Sequence, residues 1–218
     1  MRQKEIFLQS EGNAWFTRNQ QTLATRKLPE ADPLLNEIID IHNRSGVRGL
    51  KVLEIGCGDG TRLAWLKDNL NAECYGIEPS SLAVEAASSK SLNVLQGTAD
   101  VLPFDRQSFD VVIFGFCLYL CDREDLFRIA SEADRVLRST GWLMILDFFS
   151  PTPRANVYHH SPTLRSYKMD YSKLFSWHPD YACMTHKVRD HVEGGYTDAR
   201  DEWIALSVLR KCRVESGT

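Results

Sequence analysis

Residues 52–60 read VLEIGCGDG, an apolar strand running straight into a turn with three glycines in five positions. A glycine turn after a strand lets a ligand approach the backbone where side chains would block it. Working outward, KVLEIG (51–56) reads as a strand, TRLAWLKDNL (61–70) as a helix and ECYGIE (73–78) as a second strand. SLAVEAASSK (81–90) continues as a helix and NVLQG (93–97) as a short third strand. SFDVVIFGF (108–116) has the continuous apolar centre of a strand buried on both faces. In REDLFRIASEADRVLRS (123–139), Leu126, Ile129, Ala130, Ala133 and Leu137 form one stripe, which predicts an amphipathic helix ending near Thr140. WLMILDFF (142–149) follows as a fifth buried strand.

Strands alternating with helices of this length imply an α/β fold, a mostly parallel sheet with helices on both faces. Ligands of such sheets lie beyond the carboxyl ends of the strands. The glycine turn, Glu78, Asp100 and the segment after Phe114 all end or follow a predicted strand. Upstream, residues 1–45 are polar and helical in pieces; 33–42 sets Leu34, Leu35, Ile38, Ile39 and His42 on one face, with Pro33 in its first turn. Beyond Ser150 the rhythm breaks. Residues 151–180 are rich in proline and aromatics without a clean period, which predicts an irregular insertion with one short helix near 171–177. The end is strand-like again over 181–192 and 202–211, and Gly194–Gly195 between them favours an antiparallel hairpin. The expected organisation is an N-terminal helical lid segment (1–45), a ligand-binding core (46–150), and a substrate-determining insertion with a C-terminal hairpin completing the same domain (151–218).

The 218 residues suit one α/β domain with an elaboration, and 43% hydrophobic with 25% charged residues is ordinary for a globular chain. The net charge of −3 offers no basic excess for a nucleic-acid platform, and residues 151–218 balance ten Lys and Arg against eight Asp and Glu. Six scattered cysteines with no C-x-x-C pair argue against a zinc site and for reduced thiols in the cytoplasm. The N-terminus lacks the apolar run of a signal peptide, and no stretch approaches the ~18 apolar residues of a membrane span. These features point away from metal, membrane and nucleic-acid partners; they leave the oligomeric state open.

The ligand of the glycine turn can be narrowed by charge. A dinucleotide site calls for G-x-G-x-x-G, whereas Gly56, Gly58 and Gly60 give G-x-G-x-G with Thr61 in the third dinucleotide position. No Walker loop is present. Glu54 and Asp59 flank the turn, and carboxylates would repel a phosphate but stabilise an ammonium group. The turn suits a ligand with a cationic part.

VLEIGCGDG, acid included, resembles the first motif of the class I S-adenosylmethionine-dependent methyltransferases. YGIEPS (75–80), GTADVLPF (97–104) and FDVVIFGFCLYL (109–120), with RVLRSTGWLMI (135–145) beyond, resemble the motifs that follow, so the likeness covers about residues 48–150. Trp142 stands where the family's last passage usually has a second glycine. The resemblance implies a Rossmann-like fold and S-adenosylmethionine as cofactor. It puts Glu54, Gly56, Cys57, Gly58 and Gly60 at the methionine part, Glu78 with Pro79 at the ribose, Asp100 with Ala99 at the adenine, and Gly115 after the fourth strand. Glu54 also reads as a strand-end acid capping amides, Asp100 as a turn cap, and Cys57 as a small packing residue.

Five of the six histidines follow residue 158. His159 and His160, in VYHHSP, are the candidate bases for deprotonating a hydroxyl, or two loop histidines facing solvent. Tyr158, Tyr167, Lys168, Asp170 and Tyr171 make an aromatic and polar strip suited to a polar ring-shaped ligand, or to a protein contact. Tyr119 faces either the reaction centre or the core, and Trp15 either lids the cofactor or anchors the N-terminal helix. The expected function is O- or N-methylation of a small molecule such as a sugar, polysaccharide precursor or natural product. The alternatives are an RNA or protein methyltransferase and a catalytically silent cofactor-binding partner. A short-chain nicotinamide enzyme would need Tyr-x-x-x-Lys, which the chain lacks.

Overall fold

The computed structural model describes residues 2–45, 49–192 and 194–212. Residues 1, 46–48, 193 and 213–218, which include the domain boundary expected at 46, part of the turn between 192 and 202 and the end of the chain, lie outside the described residues. The N-terminus is a strap of α1 (Gln3–Ile6), a π-helical turn (Phe7–Glu11) and α2 (Gly12–Ala24), followed by α3 (Pro33–Ser45). Asp32 starts α3 by accepting the Leu34 and Leu35 amides at 3.0 and 3.3 Å, ahead of a proline with no amide to satisfy. Then come β1 (Lys51–Ile55), α4 (Thr61–Leu70), β2 (Glu73–Glu78), α5 (Ser81–Ser89), β3 (Asn93–Gln96) and β4 (Phe109–Gly115). The chain continues through α6 (Leu126–Val136), β5 (Leu137–Phe148), β6 (Arg154–Tyr158), β7 (Ser161–Lys168), α7 (Lys173–Ser176), β8 (Tyr181–Asp190) and β9 (Trp203–Lys211).

Seven strands form one sheet in the order β3-β2-β1-β4-β5-β9-β8. The first five are parallel, while β9 lies antiparallel between β5 and β8. The order reverses between β1 and β4, so the exit of β1 opens at the switch point where ligands of such sheets sit. One face packs Val52, Ile113 and Met144 against α3 and α4 through Leu34, Leu35, Leu63 and Leu66. The other packs Phe109, Phe114 and Ile145 against Ile129 and Ala133 of α6 and Phe175 of α7. Burial on both faces explains why the central strands read as unbroken apolar runs. Among the described residues no helix is long and apolar enough to cross a membrane.

Two expectations change. The helix expected over 123–139 is a 3-10 turn (Arg123–Asp125) followed by α6, and it stops at Val136. Leu137 instead pairs with Phe109, and the strand irregularity before Trp142 holds Thr140 at φ +70°. Leu137 is fully buried there, so the apolar stripe that suggested helix is satisfied equally by the strand. The segment expected to be irregular contains the antiparallel pair β6–β7. Pro153 immediately precedes β6 and Pro162 is the second residue of β7, positions a two-stranded ribbon tolerates because both its strands are edges.

Candidate active site

The turn leaving β1 holds Gly56, Gly58 and Gly60 at φ +75°, +55° and +69°. L side chains rarely enter that region. A β-carbon on Gly56 would also stand 2.9 Å from the Cys117 Cβ, so the turn and the exit of β4 touch backbone to side chain. The Gly56 amide donates to the Ile77 carbonyl at 2.8 Å, tying the turn to β2. Cys57 packs against Gly76, and burial pushes its thiol well above the ordinary cysteine range, so it is inert filling.

Glu78 ends β2 with both oxygens engaged: Oε2 accepts the Gly58 amide at 2.8 Å and Oε1 the Ser80 amide at 3.0 Å. Burial raises its carboxyl to about 6 against those two bonds. Glu54, 2% exposed, pairs through Oε1 with the Arg62 guanidinium, whose Nε reaches Asp32 at 2.8 Å. Burial holds the Glu54 carboxyl at about 7, with Arg62 pulling down and Asp32 pushing up. Its Oε2 is buried with no partner. This carboxylate stands just behind Gly115, where an added β-carbon would be 3.3 Å from Oε1.

Beyond these strand ends lies a cavity with about 830 Å³ of empty space, its open mouth included. Gly56, Glu78, Pro79, Ala99, Asp100 and Gly115 line it from the sheet, and Lys4, Phe7, Gly12 and Trp15 from the strap. Glu54, Cys57, Gly58 and Gly60 lie outside its lining and shape it from behind. The strap is pinned at both sides. The Gln3 side chain donates to the Leu120 and Arg165 carbonyls and accepts the Arg165 amide at 2.9 Å, while the Asn13 side-chain Oδ1 accepts the Ser80 hydroxyl at 2.8 Å and the Leu82 amide at 3.2 Å. Among the described residues Lys4 is the one lysine or arginine in the lining; it pairs with Asp100 and lies 2.9 Å from Asp125. Burial works against the Lys4 charge, yet the two carboxylates hold its ammonium above its ordinary value. Asp100 is held below the carboxylate range, its partial burial outweighed by Lys4 and by the Thr98 hydroxyl at 2.7 Å.

The structure distributes the expected acceptor residues more widely. Trp15 lines the cavity, and burial raises the pKa of the half-buried Tyr119 hydroxyl. Tyr158 is buried in the roof, 6.3 Å ring to ring from Phe7, with Arg18 donating to its hydroxyl at 3.3 Å. Tyr171 belongs to the core and donates to the Tyr167 carbonyl at 3.0 Å, and the Tyr167 ring lies beneath the Arg123 guanidinium at 4.1 Å. Lys168 sits 5.4 Å from the Phe148 ring centre. His159 and His160 are exposed, neither lines the cavity, and slight burial, Arg18 and His159 together lower the His160 pKa. Among the described residues no group of three or more His, Cys, Asp or Glu is placed to hold a metal.

Sequence reading passed over Arg62, Lys4, Phe116 and Asp147. Asp147 left a signal: an acid inside WLMILDFF must find partners if the strand is buried. Its Oδ2 accepts the Cys117, Leu118 and Tyr119 amides at 3.1, 2.8 and 3.3 Å, and Oδ1 the Phe148 amide at 2.8 Å. Burial raises it to about 7 against those four bonds. Arg62 left one too, a charge adjoining Leu63 on the buried face of α4.

A parallel sheet that gathers a glycine turn and two strand-end acids around one cavity defines the class I S-adenosylmethionine-dependent methyltransferase fold. Residues 53–145 match the family described as "Methyltransferase domain", so this part of the chain is such a domain. The chain is 34% identical over 110 residues to the uncharacterized methyltransferase YcgJ of Bacillus subtilis, covering 46% of this chain and 42% of that one. It is 30% identical over 129 residues to the fatty-acid O-methyltransferase of Mycolicibacterium smegmatis, covering 55% and 46%. The chain thus spans about half the length of the curated relatives it matches. Among solved structures, the 1,6-didemethyltoxoflavin-N1-methyltransferase of Burkholderia thailandensis, with its substrate and S-adenosylhomocysteine bound, shares the fold with a TM-score of 0.62 at 16% identity, over 80% of this chain and 76% of that one. The cofactor of the class is S-adenosylmethionine.

Proposed function

We propose that the chain transfers a methyl group from S-adenosylmethionine to the oxygen or nitrogen of a small molecule. One observation carries the reading: the cavity offers carboxylates at Glu78 and Asp100 beside the Gly56 backbone, and among the described residues its single lining lysine or arginine, Lys4, is already held by carboxylates, which suits a cationic ligand better than a phosphate. The donor set fits the cofactor. Glu54, behind the lining and with Oε2 unpartnered, sets a carboxylate charge close to where the methionine ammonium would lie; Glu78 is placed for the ribose hydroxyls; Asp100 and the Ala99 backbone suit the adenine amino edge. When bound, the cofactor supplies an electrophilic methyl on a sulfonium. The protein's own residues then align the acceptor and exclude water. Phe7 and Trp15 roof the site, and the Gln3 and Asn13 bonds hold that roof down.

A roof pinned on both sides leaves room for a small acceptor rather than a polymer laid in an open groove, which supports the small-molecule reading over an RNA or protein substrate. The proposed partner is therefore a small-molecule acceptor, with neither nucleic acid nor membrane engaged. The chain reads as a single body of lid segment, core and completing hairpin. Six free cysteines fit a reducing cytoplasmic setting. Calorimetry with S-adenosylhomocysteine and with NAD tests the cofactor assignment. Micromolar binding of the first alone is expected, and binding of the dinucleotide alone would overturn it.

A further inference from the structure

The wall that Phe116 gives the cavity continues away from the cofactor residues as a run of aromatic rings. Phe116 follows Gly115 at φ +53°, a conformation that a bulky L residue rarely adopts and that concentrates at functional sites. It is locked there: its amide donates to the Leu146 carbonyl at 2.8 Å, and Asp147 takes the next three amides. So held, the ring lies 5.4 Å from Phe148 and 5.3 Å from His191, centre to centre. Phe148 is 5.1 Å from His191 and 5.0 Å from Tyr119. Phe116, Tyr119 and Phe148 are half-buried and His191 is exposed, so part of each residue remains accessible. His191 is thus the histidine whose ring meets a cavity-lining ring, whereas His159 and His160 meet each other and Tyr158.

A charge stands over this platform. The Lys168 ammonium lies 5.4 Å from the Phe148 ring centre, with its side chain 15% exposed. It donates to the Asp201 carbonyl and is 4.0 Å from a carboxylate oxygen of that exposed residue, so its charge is only loosely countered. The rings meet edge to face or tilted, at 57–70° between planes, an arrangement into which another flat ring fits in the same way, and a sheltered ammonium favours an oxyanion. A sugar would call for carboxylate and amide side chains among the rings, and an acyl chain for aliphatic walls; Phe116, Tyr119, Phe148 and His191 provide neither.

Resting on the methyl-transfer reading, we propose that Phe116, Phe148 and His191, with Lys168, seat a planar aromatic acceptor bearing an ionisable ring hydroxyl, of the phenol or naphthol class. The hydroxyl proton is released to solvent as Lys168 stabilises the oxyanion. The oxygen lone pair then forms the O–CH3 bond while the S–CH3 bond breaks, its electron pair cancelling the sulfonium charge to give a neutral thioether.

The test uses the full chain saturated with S-adenosylhomocysteine, titrated with 2-naphthol and with its saturated counterpart decahydro-2-naphthol by ligand-observed NMR. The aromatic alcohol should bind at least tenfold tighter than the saturated one. Phe148→Leu should remove that preference, and Lys168→Met should weaken naphthol binding at least fivefold, each leaving S-adenosylhomocysteine affinity within twofold. Equal affinity for the two alcohols, absence of naphthol binding to the loaded protein, or indifference to both substitutions would overturn the proposal while leaving the cofactor assignment intact. Failure of S-adenosylhomocysteine itself to bind would instead sink the methyl-transfer reading. With methyl-labelled cofactor, label should pass to 2-naphthol; transfer to palmitic acid, glucose or glycine with naphthol inert would also refute the proposed acceptor.

Discussion

At one end of the cavity Gly56, Glu78 and Asp100 come from a single stretch of chain, each at or just beyond the exit of a parallel strand. At the other end Trp15 and Phe116 line the cavity from the strap and the β4 exit, and beyond Phe116 the Phe148 and His191 rings come from the end of β5 and the residue after β8. The first end is polar, acidic and fixed by backbone bonds; the second is aromatic and held by ring contacts. A site whose parts lie on consecutive strand exits is positioned by the sheet itself. One assembled across the fold depends on how the strap and the antiparallel extension settle on that sheet.

The sharpest way to break this contrast is Glu78→Ala. It removes the carboxylate proposed for the ribose and the acceptor of the Gly58 and Ser80 amides. Hydrogen bonds to charged groups are worth about 2–3 kcal/mol, so S-adenosylhomocysteine affinity should fall roughly a hundredfold by calorimetry. A loss below fivefold would mean that the strand-exit end is not the cofactor seat.

Next in size is Lys4→Met, which probes where strap and sheet meet. In the free protein Lys4 occupies the Asp100 carboxylate that the adenine edge would use. The ammonium is partly exposed, and such pairs contribute about 1 kcal/mol or less. The variant should therefore bind S-adenosylhomocysteine about threefold to fivefold tighter. Raising salt should strengthen binding by the native chain but not by the variant. Weaker binding by the variant would instead make Lys4 a cofactor contact.

The difference in legibility between the two ends follows from the same contrast. Glu54, the three glycines, Glu78 and Asp100 could be read because each sits at a fixed offset from a strand that its own apolar run announces. The partners that complete them could not, since Arg62 and Lys4 reach their carboxylates by folding rather than by sequence neighbourhood. The acceptor end left weaker traces. β6–β7 was hidden because a two-stranded ribbon with both faces largely open has no apolar alternation to display, and β6 is exposed along most of its length. Phe116 looked like the tail of a strand, and nothing local marks a residue forced to positive φ by hydrogen bonds made at Asp147.

The buried acids Glu54, Glu78 and Asp147 also predict opposite pH dependences for folding and for binding. Glu54 and Asp147 at about 7 and Glu78 at about 6 all lie above the unfolded value near 4. The folded state therefore holds these protons more tightly, and their stabilising contribution, full below about pH 4, is lost as pH rises toward 7. The free protein should melt a few degrees higher at pH 6 than at pH 8. Asp100, held below its ordinary value, works in the opposite sense only under about pH 4. An ammonium ligand needs Glu54 ionised, so S-adenosylhomocysteine affinity should fall severalfold from pH 8 to pH 6. Glu54→Gln should flatten the upper part of both profiles. Parallel rather than opposed profiles would separate these acids from the ligand.

The smallest effect belongs to the hairpin turn, and it tests whether the acceptor end extends there. His159 and His160 lie 5.0 Å apart, ring to ring, on the exposed turn between β6 and β7. Their contacts lead into the roof, through Tyr158 at 5.4 Å, rather than to a cavity-lining group. A general base must come within about 3 Å of the proton it takes, directly or through one water. Replacing both with alanine should accordingly change turnover by less than about threefold and leave its pH profile in place, measured with whichever acceptor takes label. A tenfold loss confined to turnover, with cofactor affinity unchanged, would bring this turn down onto the acceptor and give the reaction a histidine base in place of proton release to solvent.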